Sequence, residues 1–275
     1  MTTLDVPVRN IVGDIDKPRG GALVALARHS VALARRSLIK TIRTPEALID
    51  VTLQPVIFLL LFTYLLGGAI SGGDRAGYLQ FLLPGTLVLA VVFLTVYSGV
   101  NVNSDLSTGT ADRYRSLPIS RSALIVGGLI GDLGRYLLAA GLVIGLGLLM
   151  GYRAGGGVVG VLAAGALVIV FASALSWAWT ALGLMLRTPT AVMNLGFVLL
   201  FPLTFLSNVF VAPATMPDWL RQVANANPIS HLVTAARALM DGTAAGHDVF
   251  VVLATSAGLV VVLAPITVVL YQRRQ

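Results

Sequence analysis

The sequence predicts an all-α membrane protein. It has six transmembrane helices, an N-terminal amphipathic helix in the membrane interface, a short cytoplasmic helix between spans 2 and 3, and an outer re-entrant helical hairpin between spans 5 and 6. Three observations carry this. The 275-residue chain is 56% hydrophobic and only 11% charged, against about 25% charged in a soluble domain, so it could not keep a water-facing surface. Apolar runs of about 20 residues, the length that crosses the hydrocarbon, recur over about 49–70, 79–100, 122–150, 158–186, 190–211 and 250–270. The segments between them differ in basic content in the way that sets orientation. With the N-terminus inside, the cytoplasmic segments hold fourteen Lys and Arg and the outer ones four. Both termini are then cytoplasmic, and so is Asn101–Arg121.

Residues 1–20 are polar, with Pro7, Asp14, Asp16 and Pro18, and read as a disordered cytoplasmic tail. No secretory signal peptide is visible. From 21 to 43 the chain is amphipathic at helical spacing. Leu23, Leu26, Val31, Leu38 and Ile42 share one side, and Arg28, Arg35, Arg36, Lys40 and Arg43 the other. That pattern suits a helix lying in the headgroup plane on anionic lipid; a helix packed on another protein has the same pattern. The transmembrane domain occupies 44–275. Thr44-Pro45-Glu46 starts its first helix, with a capping hydroxyl, a Pro at the first helical position and an acid at the positive dipole end. Gly-rich turns at 71–77 and 151–157 separate spans 1 from 2 and 3 from 4, and Arg187-Thr188-Pro189 separates 4 from 5.

Residue types exclude several functions. A net charge of +7 would suggest nucleic acid for a soluble chain. Here the cations flank apolar spans, so membrane lipids are the expected partner and nucleic acid is not. There is no cysteine, hence no disulfide or thiolate site, and no metal is expected. A Walker A loop needs Gly-Lys-Ser/Thr to wrap phosphates. The only lysines, Lys17 and Lys40, follow Asp16 and Ile39, so this chain cannot bind ATP in that way. His29, His231 and His247 form no HExxH, and no GxSxG occurs. No catalytic residue is expected.

The polar segment Asn101–Arg121 holds Asp105, Asp112, Arg113, Arg115 and Arg121. Gly109 ends one helix, Thr110 can cap the next with Asp112 in its first turn, and Leu117-Pro118 stops it. A short helix between two long spans is a lever for a soluble motor; a solvated loop whose charges only set topology is the plainer alternative. Gly109-Thr110-x-Asp112-Arg113 followed by Leu117-Pro118-x-x-Arg121 resembles the ABC-2 type transporter permeases, nearest to the daunorubicin-resistance type of drug exporter. In that family this stretch is the coupling helix that docks on the nucleotide-binding subunit. Asp112 stands where Glu is common, and Asp105 is the sole upstream acid where the family often has more. The resemblance continues through Met216-Pro217-x-Trp219-Leu220, Asn227-Pro228 and an Arg237-containing helix, and implies an outer gate or closing hairpin. An ordinary outer loop with an interfacial Trp219 is the alternative there.

Asp132 and Arg135 can pair at i, i+3 within span 3, and read as a structural pair near the inner interface. Asp50 and Gln54 read likewise. Ser173, Ser176, Trp177 and Thr180 share one face of span 4, which helix packing explains at least as well as substrate lining. Tyr64, Tyr97, Asn194 and Asn208 are candidates for a substrate path. The resemblance implies the permease subunit of an ATP-driven bacterial plasma-membrane exporter. Its partners would be separate ABC ATPase subunits, which carry the ATP and Mg, and a second permease copy as homodimer or heterodimer. Its cargo would be a lipophilic drug, antibiotic or lipid-like molecule. Envelope lipid or glycan export, a membrane-embedded enzyme and a passive carrier are the alternatives.

Overall fold

A computed structural model of the chain describes residues 53, 55–66, 74–107, 121–211 and 213–273, with backbone alone at 121–127 and 129. The interfacial segment 21–43, Asp50, Gln54 and residues 108–120 lie outside the described residues. Among those described, the fold is helical with no strand. Four helical stretches are long and apolar enough to cross a membrane, Arg75–Ser107, Ile130–Leu149, Gly157–Met185 and Gly246–Arg273; Pro55–Leu65 and Pro189–Phe205 are apolar but shorter.

The first described helix, α1 (Pro55–Leu65), widens to π-type winding over Phe62–Leu66. Its Phe62 stacks on Phe210 at 4.4 Å. The next, α2 (Arg75–Leu94), starts ahead of the expected span 79–100, because the Asp74 carboxylate accepts from the Gly77 N–H at 2.9 Å and caps the first turn. One residue, Thr95, separates α2 from α3 (Val96–Ser107), so helix also persists beyond Val100 into the polar segment. The whole 33-residue stretch is about 50 Å long at 1.5 Å per residue, well beyond a hydrocarbon core of about 30 Å. Its polar end stays helical because Asn103 is buried against a neighbour instead of facing water.

That neighbour is α5 (Gly157–Met185), which also packs on the two helices nearest the C-terminus. Contact of α3 with α5 is backbone to backbone. A Cβ on Gly99 would sit 2.2 Å from the Trp179 carbonyl, and one on Gly183 would sit 2.3 Å from the Gly99 carbonyl. Small residues draw membrane helices together where lipid tails remove the hydrophobic incentive. The hydroxyls of Ser173, Ser176 and Thr180 donate to the carbonyls of Ile169, Ala172 and Ser176 in their own helix. Between α3 and α5 in sequence runs α4 (Arg121–Leu149), which packs along α2.

Thr188 caps α6 (Pro189–Phe205) by accepting from the Ala191 N–H at 3.2 Å, as the Thr-Pro signal predicts. The expected span 190–211 is cut short, however, and the chain is irregular from Leu206 to Val211. Pro202 removes one helical donor. Polar side chains, one local and one from further along the chain, then occupy carbonyls that a continuing helix would need. Ser207 Oγ donates to Thr204 O, and Asn227 Nδ2 donates to Leu203 O at 2.6 Å.

Two short helices follow, α7 (Asp218–Ala226) and α8 (Pro228–Asp241). Asn227 caps α8 by accepting from the Ile229 N–H at 2.9 Å, and Gly242 ends it in the left-handed region at φ 73°. With 14 residues, α8 is longer than the two to three turns expected, yet at about 21 Å it remains too short to cross. The last helix, α9 (Gly246–Arg273), exceeds the expected 250–270 at both ends.

Candidate functional site

Two polar constellations stand out. The first joins α3, α4 and α5. Ser98 Oγ donates to Asp132 Oδ2 at 2.6 Å and also lies 3.2 Å from the Tyr136 hydroxyl, which is 2.7 Å from Ser176 Oγ. Ser176 donates its own proton to Ala172 O at 2.8 Å. Tyr136, with one proton, therefore donates either to Ser176, whose own proton goes to Ala172 O, or to Ser98, whose proton goes to the Asp132 carboxylate. Arg135 pairs with the other carboxylate oxygen at 3.5 Å, and its guanidinium lies 5.8 Å from the Tyr97 ring centre. Asp132 is only 4% exposed. It sits about 16 Å along α4 from Arg121, at the end of the apolar span nearer 108–120.

The network thus ties α3 to α4 and both to α5. Asn103 adds a second tie, its Nδ2 donating to the Gly183 and Leu186 carbonyls at 2.8 Å each. Leu186 lies just past the end of α5, so Asn103 satisfies an orphan carbonyl that a helix end leaves.

The second constellation is the α7–α8 hairpin. Gly156 N donates to Met240 O at 2.8 Å, and a Cβ on Gly155, Gly156 or Gly160 would meet backbone of 239–242 at 2.6 Å or less. The hairpin is therefore pressed on the Gly-rich turn after α4. His231 Nδ1 lies 2.7 Å from Asp248 Oδ1, and its Nε2 lies 3.0 Å from the Asn225 carbonyl. One imidazole so joins α7, α8 and the first turn of α9. Arg237 donates to the Phe81 carbonyl from Nε at 3.2 Å and Nη2 at 3.0 Å, and lies 3.9 Å over the Phe81 ring. Burial lowers its guanidinium to about 10, with Asp241 opposing the shift. Burial also pushes the Tyr152 hydroxyl up to about 12, and Asp241 adds to it.

The residues singled out from sequence are distributed unevenly. Asp105 is exposed on the last turns of α3, and Arg121 is the first residue of α4. Gly109, Thr110, Asp112, Arg113, Arg115, Leu117 and Pro118 lie outside the described residues, as do Arg28, Arg35, Arg36, Lys40 and Arg43. Pro217 precedes α7, Trp219 is 65% exposed on it, and Asn227, Pro228 and Arg237 build α8. The four substrate-path candidates have different surroundings. Tyr64 and Asn194 are exposed, Tyr97 is half-buried beside Arg135, and Asn208 is buried with its Nδ2 donating to Thr234 Oγ1 at 2.8 Å. Sequence reasoning missed Ser98, Asn103, Tyr136 and the Gly99–Gly183 contact. Tyr136 carried a signal, one turn after Asp132 on the same face; Gly99 and Asn103 also share a face.

These features define a polytopic helical membrane protein whose longest packed helices share one polar connection. The sequence profile of the ABC-2 type transporter family matches residues 28–240, and the chain belongs to that family. It is 48% identical over 230 residues, 84% of this chain and 81% of the relative, to the daunorubicin resistance ABC transporter permease protein DrrB1 of Streptomyces coeruleorubidus. It is 27% identical over 230 residues, 80% of this chain and 78% of the relative, to the doxorubicin resistance ABC transporter permease protein DrrB of Mycobacterium tuberculosis. The chain is accordingly a transport membrane subunit and not an enzyme.

Proposed function

We propose that the chain is the permease subunit of an ATP-driven exporter that moves a lipophilic drug out of a bacterial cell. In this reading it has six spans, both termini are cytoplasmic, and residues 21–43 lie in the inner interface. ATP and Mg sit on separate ABC ATPase subunits, which grip 108–120, and a second permease copy completes the pathway. The α7–α8 hairpin dips into the outer leaflet and closes the far end. The observation that carries this is the junction of α3 and α4. Both helices run into one short polar connection, and Ser98, Asp132 and Asn103 fasten them to each other and to α5. Force applied there moves several spans together. The relatives' names supply the cargo class.

Asp112→Arg tests the reading. Reversing the charge at the docking helix is expected to lower co-purification of the ABC ATPase on the order of tenfold, equivalent to about 1.4 kcal/mol, and to stop drug export, while membrane insertion is unchanged. Full ATPase recovery with the variant would contradict it.

A further inference from the structure

A polar seam runs along α8 where it faces the irregular end of α6 and the first turns of α2. Ser230, Thr234 and Arg237 recur at helical spacing on one stripe of α8. Arg237 makes the longest reach. Besides its two bonds to the Phe81 carbonyl, Nη2 donates to the Asn208 carbonyl at 3.3 Å. Of the two acceptors, Phe81 lies within helix α2, about one turn before Pro84, and Asn208 belongs to the irregular backbone beyond the end of α6. Irregular backbone inside a membrane needs protein partners, and here one guanidinium joins that irregular segment to α2.

The seam is incompletely satisfied. Asn208 Oδ1 and Ser230 Oγ are buried with no hydrogen-bond partner among the described residues, although both residues are at most 5% exposed. A buried polar atom without a partner is unfavourable and gains by hydration. Opening the seam to water would therefore relieve those two atoms, whereas the Arg237 bonds and its stacking on Phe81 oppose opening.

We propose that Arg237 is a positioning residue that latches the α7–α8 hairpin shut against α2 and the irregular end of α6. The hairpin then opens by releasing the Phe81 and Asn208 carbonyls. This inference rests on reading the hairpin as an outer gate. Lysine is a poor substitute, because a single ammonium cannot present the planar fork or stack on the ring.

The absence of cysteine allows a direct test in the full chain in intact cells. Ser230→Cys places one thiol under the hairpin, read by its labelling rate with a membrane-impermeant maleimide. Adding Arg237→Gln is expected to raise that rate on the order of tenfold or more, as loss of charge-assisted bonds implies, with Arg237→Lys intermediate. A Ser256→Cys control, buried on α9, is expected to stay protected in every background, which separates latch release from general loosening. Equal Ser230→Cys labelling with and without Arg237 overturns the proposal, and so does equal exposure of the control. Should Arg237→Gln fail to accumulate, Arg237→Lys, which loses the planar fork that reaches both carbonyls, is read in the same way; an unchanged rate overturns the latch. The assay needs neither ATPase nor drug. Loss of the latch result and loss of ATPase association are thus separate failures.

Discussion

Asp132→Leu is expected to leave a folded, exportable protein only in trace amounts and to stop transport. The carboxylate accepts from Ser98, which lies within reach of the Tyr136 hydroxyl, and is the partner of Arg135. Removing it takes the Ser98 proton's acceptor away at a buried position and deletes one of the contacts of Arg135. Deleting one partner of a buried pair costs roughly 3–5 kcal/mol, a large part of a typical stability of about 5–15 kcal/mol. Asp132→Asn is expected to be milder, because an amide oxygen still accepts from Ser98 while the charge opposite Arg135 is gone. Thermal unfolding of detergent-purified protein and ATP-driven drug uptake into inverted vesicles check the series. A leucine variant as stable and active as the parent would show that the network does not join α3, α4 and α5.

Gly183→Ala is the second large effect, and one methyl is enough. Its Cβ would lie 2.3 Å from the Gly99 carbonyl oxygen, with the Gly99 carbonyl carbon and Cα at 2.9 and 3.0 Å. The obstacle is backbone and cannot rotate away, so α3 and α5 must separate. Separation would also pull Asn103 off the Gly183 and Leu186 carbonyls. Overpacking of this kind costs about 1–3 kcal/mol or more, and the loss of two buried hydrogen bonds adds about 1 kcal/mol each. The expected result is a strongly reduced yield of monodisperse protein and no transport. Gly141→Ala is the matched control. It lies on the exposed side of α4 with nothing within 4 Å of an added Cβ, and is expected to behave as the parent.

The order of helices was legible because the signals that set it are local. Asn227-Pro228 and Thr188-Pro189 start helices, and Gly242 stops one, through contacts within a few residues. Where the reading failed, the deciding contact was distant in sequence. The chain stays helical to Ser107 because Asn103 finds carbonyls 80 and 83 residues ahead. Helix α6 stops at Phe205 in part because Asn227 takes a carbonyl from the turn before it. The pairing of Asp132 with Arg135 could be read from i, i+3 spacing, but its stronger bond to Ser98 on another helix could not. Among the substrate-path candidates, hydropathy alone could not distinguish an exposed Asn194 from an Asn208 buried in the seam. An Asn inside an apolar run looks the same whichever way its helix face turns.

In the proposed function an ATPase outside this polypeptide drives it through the connection between α3 and α4. A single thiol at that connection tests it most directly, in a chain with no other cysteine. Arg115→Cys, carrying a short photoactivatable maleimide crosslinker, is expected to capture the ABC ATPase subunit in membranes and to stay unlabelled when an impermeant maleimide is added to intact cells. Rapid labelling from outside the cell, with no ATPase adduct, would contradict it.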